Sequence, residues 1–475
     1  MTTSSEIQIL TPEREANAGL IRLYPTLVSL FFLLAVPFAV WYTEEWNFFE
    51  NLLSILTSPS RLVTDYFALG GLGSTLFNAA VCGLIGNVAV YVSRTEASAT
   101  VLAGYMLIVA HGFYGLNFLN MWPPFLGVIL FCLVTRRPVS ENIHVALFST
   151  ALAPFVSELV FRYSVGSPSG TGISAVGIIL ALLFGLAAGF VVPALLPGTT
   201  AMHRGYNLYK AGLAIGILGI FVNAFMYNTL GVTPPEDILI DNPAYFALPY
   251  AYRGFMNVFF AVFFGLTLLF GFLLNKRNKR SIKEYRELMG CTGYGTDFTD
   301  KFGMPLCMVN IALYGFCILA YLNIVFILPE LFPSLPSGVG FTGATAGVVF
   351  AALTFAADGQ HPKNVFPIVL GYVALFILVV VTSLVSGGEI PWTLSTQSYI
   401  NGLAFATGLC PIAGKYGFGY GVLAGVLSAV ICTVTADMHG GFVLYNGGFT
   451  AGLSALVLIP ILDFYKVKPK REDDV

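Results

Sequence analysis

Few side chains in this chain are equipped for chemistry, and the most suggestive of them occur twice. Met202-His203-Arg204-Gly205-Tyr206-Asn207-Leu208-Tyr209-Lys210-Ala211-Gly212 is echoed by Met438-His439-Gly440-Gly441-Phe442-Val443-Leu444-Tyr445-Asn446-Gly447-Gly448 at a constant offset of 236, and one turn later Gly216 is echoed by Gly452. Each copy stands at the mouth of an apolar run. Gly205, Gly212, Gly441 and Gly448 permit close backbone approach and unwound turns. Free amide donors at such helix ends attract an anion or a carbonyl oxygen. Tyr209, Lys210, Asn207, Tyr445 and Asn446 are then the expected contacts for a solute. The plainer alternative leaves His203, Arg204 and His439 in loops and gives the glycines to helix packing.

A second matched pair is Thr150 with Pro154 and Thr407 with Pro411, at an offset of 257. A proline inside an apolar segment frees carbonyls and a threonine adds a hydroxyl, which together can line a solute path. The same register sets Glu158 against Lys415, either as buried functional charges or as interfacial anchors. His111 and Asp358 fall at matching segment ends, each followed by glycine. Proton or sodium coupling could fall to Asp358, His111 or Asp437, and gating to His203 or His439. Asp65 and Asp297, each preceded by threonine, read as helix caps with an ion site as the alternative.

These residues are embedded in a very apolar chain. Of 475 residues, 56% are hydrophobic and 10% charged, against about a quarter charged in soluble domains. The class is therefore all-α, a polytopic membrane protein. The polar, acidic first 17 residues lack a basic region and cleavage site, so the first apolar run is expected to be retained. Seven scattered cysteines form no CxxC pair and have no histidine at ligand spacing, so no metal site and no cofactor are expected. No HExxH, P-loop or GxSxG is present, and an enzyme is not expected. The basic residues lie in short juxtamembrane runs, which excludes a nucleic-acid partner.

Fourteen apolar segments can be counted: 20–41, 66–92, 98–114, 122–136, 143–162, 172–195, 208–230, 250–274, 304–328, 338–356, 365–386, 397–413, 418–436 and 442–464. A span takes about 20 residues, so 98–114, 122–136 and 397–413 read as broken or re-entrant helices, or as short buried ones. Lys276 to Arg286 and Lys466 to Arg471 are the strongest basic runs and mark the cytoplasmic side. That places both termini and Arg136-Arg137 inside, and the acidic Pro235–Pro243 loop outside. Asn47–Pro59 and Ser281–Met289 are expected to lie along the two interfaces.

Further echoes run in order: Thr64-Asp65, Asn78 and Gly83 with Thr296-Asp297, Asn310 and Gly315 at 232; Asn120, Pro123 and Gly127 with Asn364, Pro367 and Gly371 at 244; Phe148 with Phe405 at 257. Residues 1–232 and 250–475 thus form two seven-segment repeats joined by an outer linker at 233–249. An odd number of segments per repeat inverts the second copy in the membrane, as in many transporters and channels.

The Met438–Gly452 block resembles an uncharacterised family of bacterial and archaeal multi-pass membrane proteins, a domain of unknown function. That resemblance implies a prokaryotic inner membrane and no particular substrate. The Tyr445-Asn446-Gly447 turn, with Thr150 and Thr407 ahead of prolines, is similar to the urea-channel family, which implies a central pore lined by matched half-helices. Tyr206-Asn207 lacks the glycine, and the segment count is larger than in that family.

The expected function is transport of a small polar or anionic metabolite by alternating access, with H+ or Na+ as a candidate coupling ion. A urea-like channel for a neutral solute is the main alternative. A membrane scaffold is another, although the intervals 42–65 and 275–303 leave little room for an extramembrane domain. The lipid bilayer is the surrounding partner, and a homo-oligomer is compatible with the pattern. Arg204 and Lys210 face Gly440 and Asn446 in the repeat register, which favours a polar or anionic solute over a metal cation.

Overall fold

The computed structural model describes residues 12–62, 64–163, 172–231, 252–278 and 281–471; the expected outer linker at 233–249 lies outside the described residues. The chain is helical throughout this part, with one isolated bridge between Asp65 and Tyr114. In the first half the helices are α1 (Pro12–Thr43), α2 (Phe48–Leu56), α3 (Tyr66–Val92), α4 (Ala99–His111), α5 (Trp122–Thr135), α6 (Val139–Ser149), α7 (Ala153–Arg162), α8 (Ala175–Met202) and α9 (Lys210–Ala224). In the second half they are α10 (Arg253–Arg277), α11 (Glu284–Leu288), α12 (Phe298–Phe302), α13 (Met304–Leu331), α14 (Gly343–Ala352), α15 (Pro362–Ser386), α16 (Gln397–Ala406), α17 (Cys410–Tyr416), α18 (Phe418–Ile431), α19 (Thr435–Met438) and α20 (Asn446–Phe464).

Among the described residues nine helical stretches are long and apolar enough to cross a membrane, the α6–α7 run counting as one. The protein is an all-α, multi-pass membrane protein. The other apolar segments are helical but short. Helix α4, with 13 residues, reaches about 20 Å at 1.5 Å per residue, less than the roughly 30 Å hydrocarbon layer. Burial follows the membrane pattern: large apolar side chains such as Leu34, Phe49, Phe221 and Val385 face outward, while Asn78, Asn310, Gln360 and Thr450 are inside. Every residue of α14 and α16 is buried, as is all of α4 except Thr100. A helix buried on every side belongs at the centre of a bundle.

Local punctuation explains the helix starts. Asp65 Oδ1 accepts from Phe67 N at 2.9 Å, and Asp297 Oδ1 from Thr299 N at 2.8 Å. Ser98, Ser174 and Thr342 cap α4, α8 and α14 in the same way. Gly71, at φ 69° and ψ 179°, interrupts α3, and Gly303, at φ 79° and ψ 156°, separates α12 from α13. These two glycines are counterparts at offset 232. At each break the next amide is capped from a distance: Leu72 N donates to Glu45 Oε2 at 3.0 Å, and Met304 N to Asn17 Oδ1 at 2.6 Å.

Packing repeats along the same offsets. Helix α1 packs on α3 as α10 does on α13, and α5 on α8 as α15 does on α18. Asn78 Nδ2 donates to the carbonyls of Gly112 and Leu116, and Asn310 Nδ2 to those of Ala356 and Gln360. Three contacts join counterpart helices directly, α1 against α10, α4 against α14 and α9 against α20.

Candidate functional site

The site grows from two broken helices. Between α6 and α7, and again between α16 and α17, the chain tightens into a 3-10 turn, at Thr150–Leu152 and Thr407–Leu409. Pro154 and Pro411 stand just beyond, where a missing amide leaves upstream carbonyls unclaimed. Those carbonyls bind protein: Leu444 N donates to Ala151 O and Leu208 N to Gly408 O, both at 3.0 Å. Each histidine-tyrosine motif is thereby hooked onto the broken helix of the other half. The threonine hydroxyls turn back on their own helices, Thr150 Oγ1 donating to Leu147 O and Thr407 Oγ1 to Ala404 O, both at 2.7 Å.

Held in this way, the later parts of the two motifs meet. The Tyr209 and Tyr445 rings stand 5.8 Å apart edge to face. A Cβ on Gly212 would overlap the backbone of Gly448, so glycine at 212 is what lets α9 and α20 approach. Asn207 Nδ2 spans the junction to Gly448 O at 3.1 Å, while its Oδ1 accepts from Tyr209 N. Gly205 and Gly441, at φ 78° and 74°, supply the left-handed turns that lead into each motif.

The two tyrosines sit in unequal surroundings. Tyr209 donates to Ala351 O at 2.6 Å and packs on Phe355 and Phe405, at 4.8 and 5.2 Å. Tyr445 packs on His111, Phe148 and Phe405, at 6.1, 6.3 and 5.7 Å. Its hydroxyl has no partner, and neither has Nε2 of His111. Both residues are 1% exposed. The two atoms are among the buried polar atoms without a partner, as are both ring nitrogens of His203 and Nδ1 of His439, and an unsatisfied buried group calls for an explanation.

The remaining predicted residues lie around this centre. His439 Nε2 pairs with Asn446 Oδ1 at 3.0 Å, and its Nδ1 is unpartnered. His203 is buried with both ring nitrogens unpartnered. It lies beyond the end of α8, where burial, with the Lys210 charge adding to it, pushes its pKa down to about 4. Lys210 and Asp437 are exposed and Asp358 is half-buried. Glu158 is fully buried, with Arg61 Nε and Arg162 Nε each 3.5 Å from a carboxylate oxygen. Lys415 Nζ lies 4.2 Å from the centre of the Tyr294 ring and 5.6 Å from that of Tyr206. Arg204 pairs with Asp463 at the end of α20. Among the described residues no group of histidine, cysteine and carboxylate side chains could hold a metal ion.

The sequence reading overlooked several members of the site. Arg61 stands in a loop far from Glu158 in sequence, and nothing local announces the pair. Gln360, which donates to Thr407 Oγ1 at 2.7 Å, has Leu116 as its counterpart at offset 244, so the repeat did not point to it. Phe148 and Phe405 were visible as a matched pair, but not as walls of the tyrosine enclosure.

The model of the family described as a protein of unknown function, DUF1576, matches residues 44–228 and 277–464. The chain belongs to the DUF1576 family. No curated protein and no solved structure matches it. The two matched segments take in both copies of the histidine-tyrosine motif and both broken helices, so the enclosure of this DUF1576 protein is built wholly from family-matched sequence.

Proposed function

We propose that this DUF1576 protein is a transporter, and not an enzyme, that carries a small polar solute across a prokaryotic inner membrane by alternating access. The observation that carries the reading is the enclosure between the two motifs, where the Tyr445 hydroxyl and His111 Nε2 are buried and unpartnered beside Tyr209. The two halves are read as inverted repeats of seven segments with both termini cytoplasmic. Support comes from hydrogen bonds that recur at the repeat offsets, from counterpart helices meeting as α4 with α14 and α9 with α20, and from the basic runs at Lys276–Arg286 and Lys466–Arg471. Short helices such as α4 and α14 end at the enclosure as the half-helices of a midplane site do.

Aromatic rings fill the junction, which supports a barrier that opens alternately over a standing pore. Lys210 beside His203 gives one approach a positive bias, which suits a polar or anionic solute. H+ or Na+ coupling belongs to the same proposal, with His111 and Asp358 as the residues to test. The test is a thermal-shift screen of purified protein against metabolites at varied sodium and pH, followed by counterflow in proteoliposomes. Saturable counterflow of a hit, weakened by Tyr445→Phe and by His111→Phe, is expected. Flux that never saturates, or binding indifferent to both changes, overturns the reading.

A further inference from the structure

The basic run at Lys466–Arg471 does more than follow α20. Lys466 stands at φ 53°, and the amides of Lys466 and Val467 return to the carbonyls of Asp463 and Leu462, both at 2.9 Å. A left-handed residue with this pair of bonds ends a helix by turning the chain back, and Val467 packs on the core. Lys470 N then donates to Lys415 O at 2.7 Å and Arg471 N to the same carbonyl at 3.4 Å, while Arg471 Nη1 donates to Gly290 O at 2.9 Å. A Cβ on Gly417 would stand 3.1 Å from Lys470 Cδ, so that side chain lies close over the end of α17.

What the segment covers is one of two matched ends. The loop ahead of each Thr-Asp cap reaches the turn of the motif from the other half: Leu62 N donates to Gly441 O and Tyr294 Oη to Arg204 O, both at 2.8 Å. Each motif sets an aromatic ring there, Phe442 against Phe155 and Tyr227, and Tyr206 against Tyr294 and Tyr416. The Glu158 end is fastened from within, by Arg61 and Arg162. The Lys415 end is fastened from without: the tail holds the carbonyl of Lys415 and ties it to Gly290, just ahead of the Tyr294 loop.

We infer that Lys466–Arg471 is a strap that holds the Lys415 end of the solute path shut, and that this end opens only when the segment lifts. The purpose of the strap rests on the transport reading. Lifting it frees the end of α17 to part from Tyr206 and Tyr294. Cys410, buried at the start of α17, lies five residues from Lys415, about 7 Å along the helix, and becomes reachable from water.

Native Cys410 is therefore the reporter. Purified protein is treated with a methanethiosulfonate reagent too polar to enter the bilayer, and the labelling rate of each cysteine is read by peptide mass spectrometry. Cys432, buried just past the end of α18, reports loosening of the bundle as a whole. Ending the chain after Tyr465 should raise labelling of Cys410 about tenfold, the scale of one net hydrogen bond, and leave Cys432 unchanged. Lys470→Pro removes the amide that binds Lys415 O, and Arg471→Ala removes the Gly290 contact; each keeps the tail's length and should give a rise of about threefold. Labelling of Cys410 that is unchanged in all three variants overturns the proposal. An equal rise at Cys432 also overturns it, in favour of a tail that serves stability alone. Labelling needs no solute, so failure here leaves the counterflow test of the enclosure standing, and failure of counterflow does not alter the labelling result.

Discussion

Tyr209 and Tyr445 occupy counterpart places and do different work. The first hydroxyl is spent on the Ala351 carbonyl and its ring is pressed between two phenylalanines; the second is unspent and one of its ring neighbours is a histidine. The carbonyls bound by Asn78 and by Asn310 are related by an offset of 244, which sets His111 against Phe355 and not against Asp358, so a single difference of residue type puts a polar ring where the other half has an aromatic wall. The lesson is that two segments of matching sequence can end in unlike surroundings, one tyrosine hydroxyl satisfied and the other left without a partner.

The largest effect is expected where the two halves differ most in charge. Glu158 is buried between Arg61 and Arg162, whereas its counterpart Lys415 rests over two tyrosine rings. Glu158→Gln leaves two guanidinium groups without a buried counter-charge and should cost about 3–5 kcal/mol. Lys415→Met loses a cation–π contact worth about 1–2 kcal/mol. Thermal unfolding in detergent ranks the two, and equal losses would break the comparison between the ends.

Next in size is the glycine contact. A methyl on Gly212 runs into the Gly448 backbone, while one on Gly448 meets mainly the Tyr445 ring, which can yield. Gly212→Ala should therefore destabilise by about 1–3 kcal/mol, and Gly448→Ala by less. The reverse order would mean that α9 and α20 are not held together as described.

The tyrosines themselves give smaller but sharper differences. Tyr209→Phe removes a satisfied hydrogen bond and should lower stability by about 1 kcal/mol. Tyr445→Phe removes an unsatisfied hydroxyl, so the melting temperature should hold or rise while binding of any solute found in the screen weakens. A stability loss at Tyr445 equal to that at Tyr209 would erase the distinction on which the site rests. The smallest change in stability is expected for His111→Phe, which copies the other half; its effect should appear in solute binding and not in unfolding.

Much of the fold was legible because a helix keeps its length when its sequence drifts. Asn78 with Asn310, and Thr150 with Thr407, held their spacing, and each pair makes equivalent contacts. The site was legible only in part. Asn207 and Asn446 read as solute contacts, yet a short amide just ahead of a turn folds back on nearby groups: Asn207 binds the Tyr209 amide, and Asn446 binds His439. The hydroxyl left free at Tyr445 follows from which carbonyl happens to lie opposite each ring, and no local pattern encodes that. Glu158 and Arg61 were equally hidden, since ion pairs between distant segments depend on how the chain returns.

Gly212 meets the Gly448 main chain where α9 and α20 come together. With no side chain on either glycine, the distance between these two helices is set by backbone against backbone, so bulk added at Gly212 can be relieved only by moving a whole helix and not by turning a rotamer. The spacing of α9 and α20 is therefore fixed more tightly than that of helices whose contact runs through side chains.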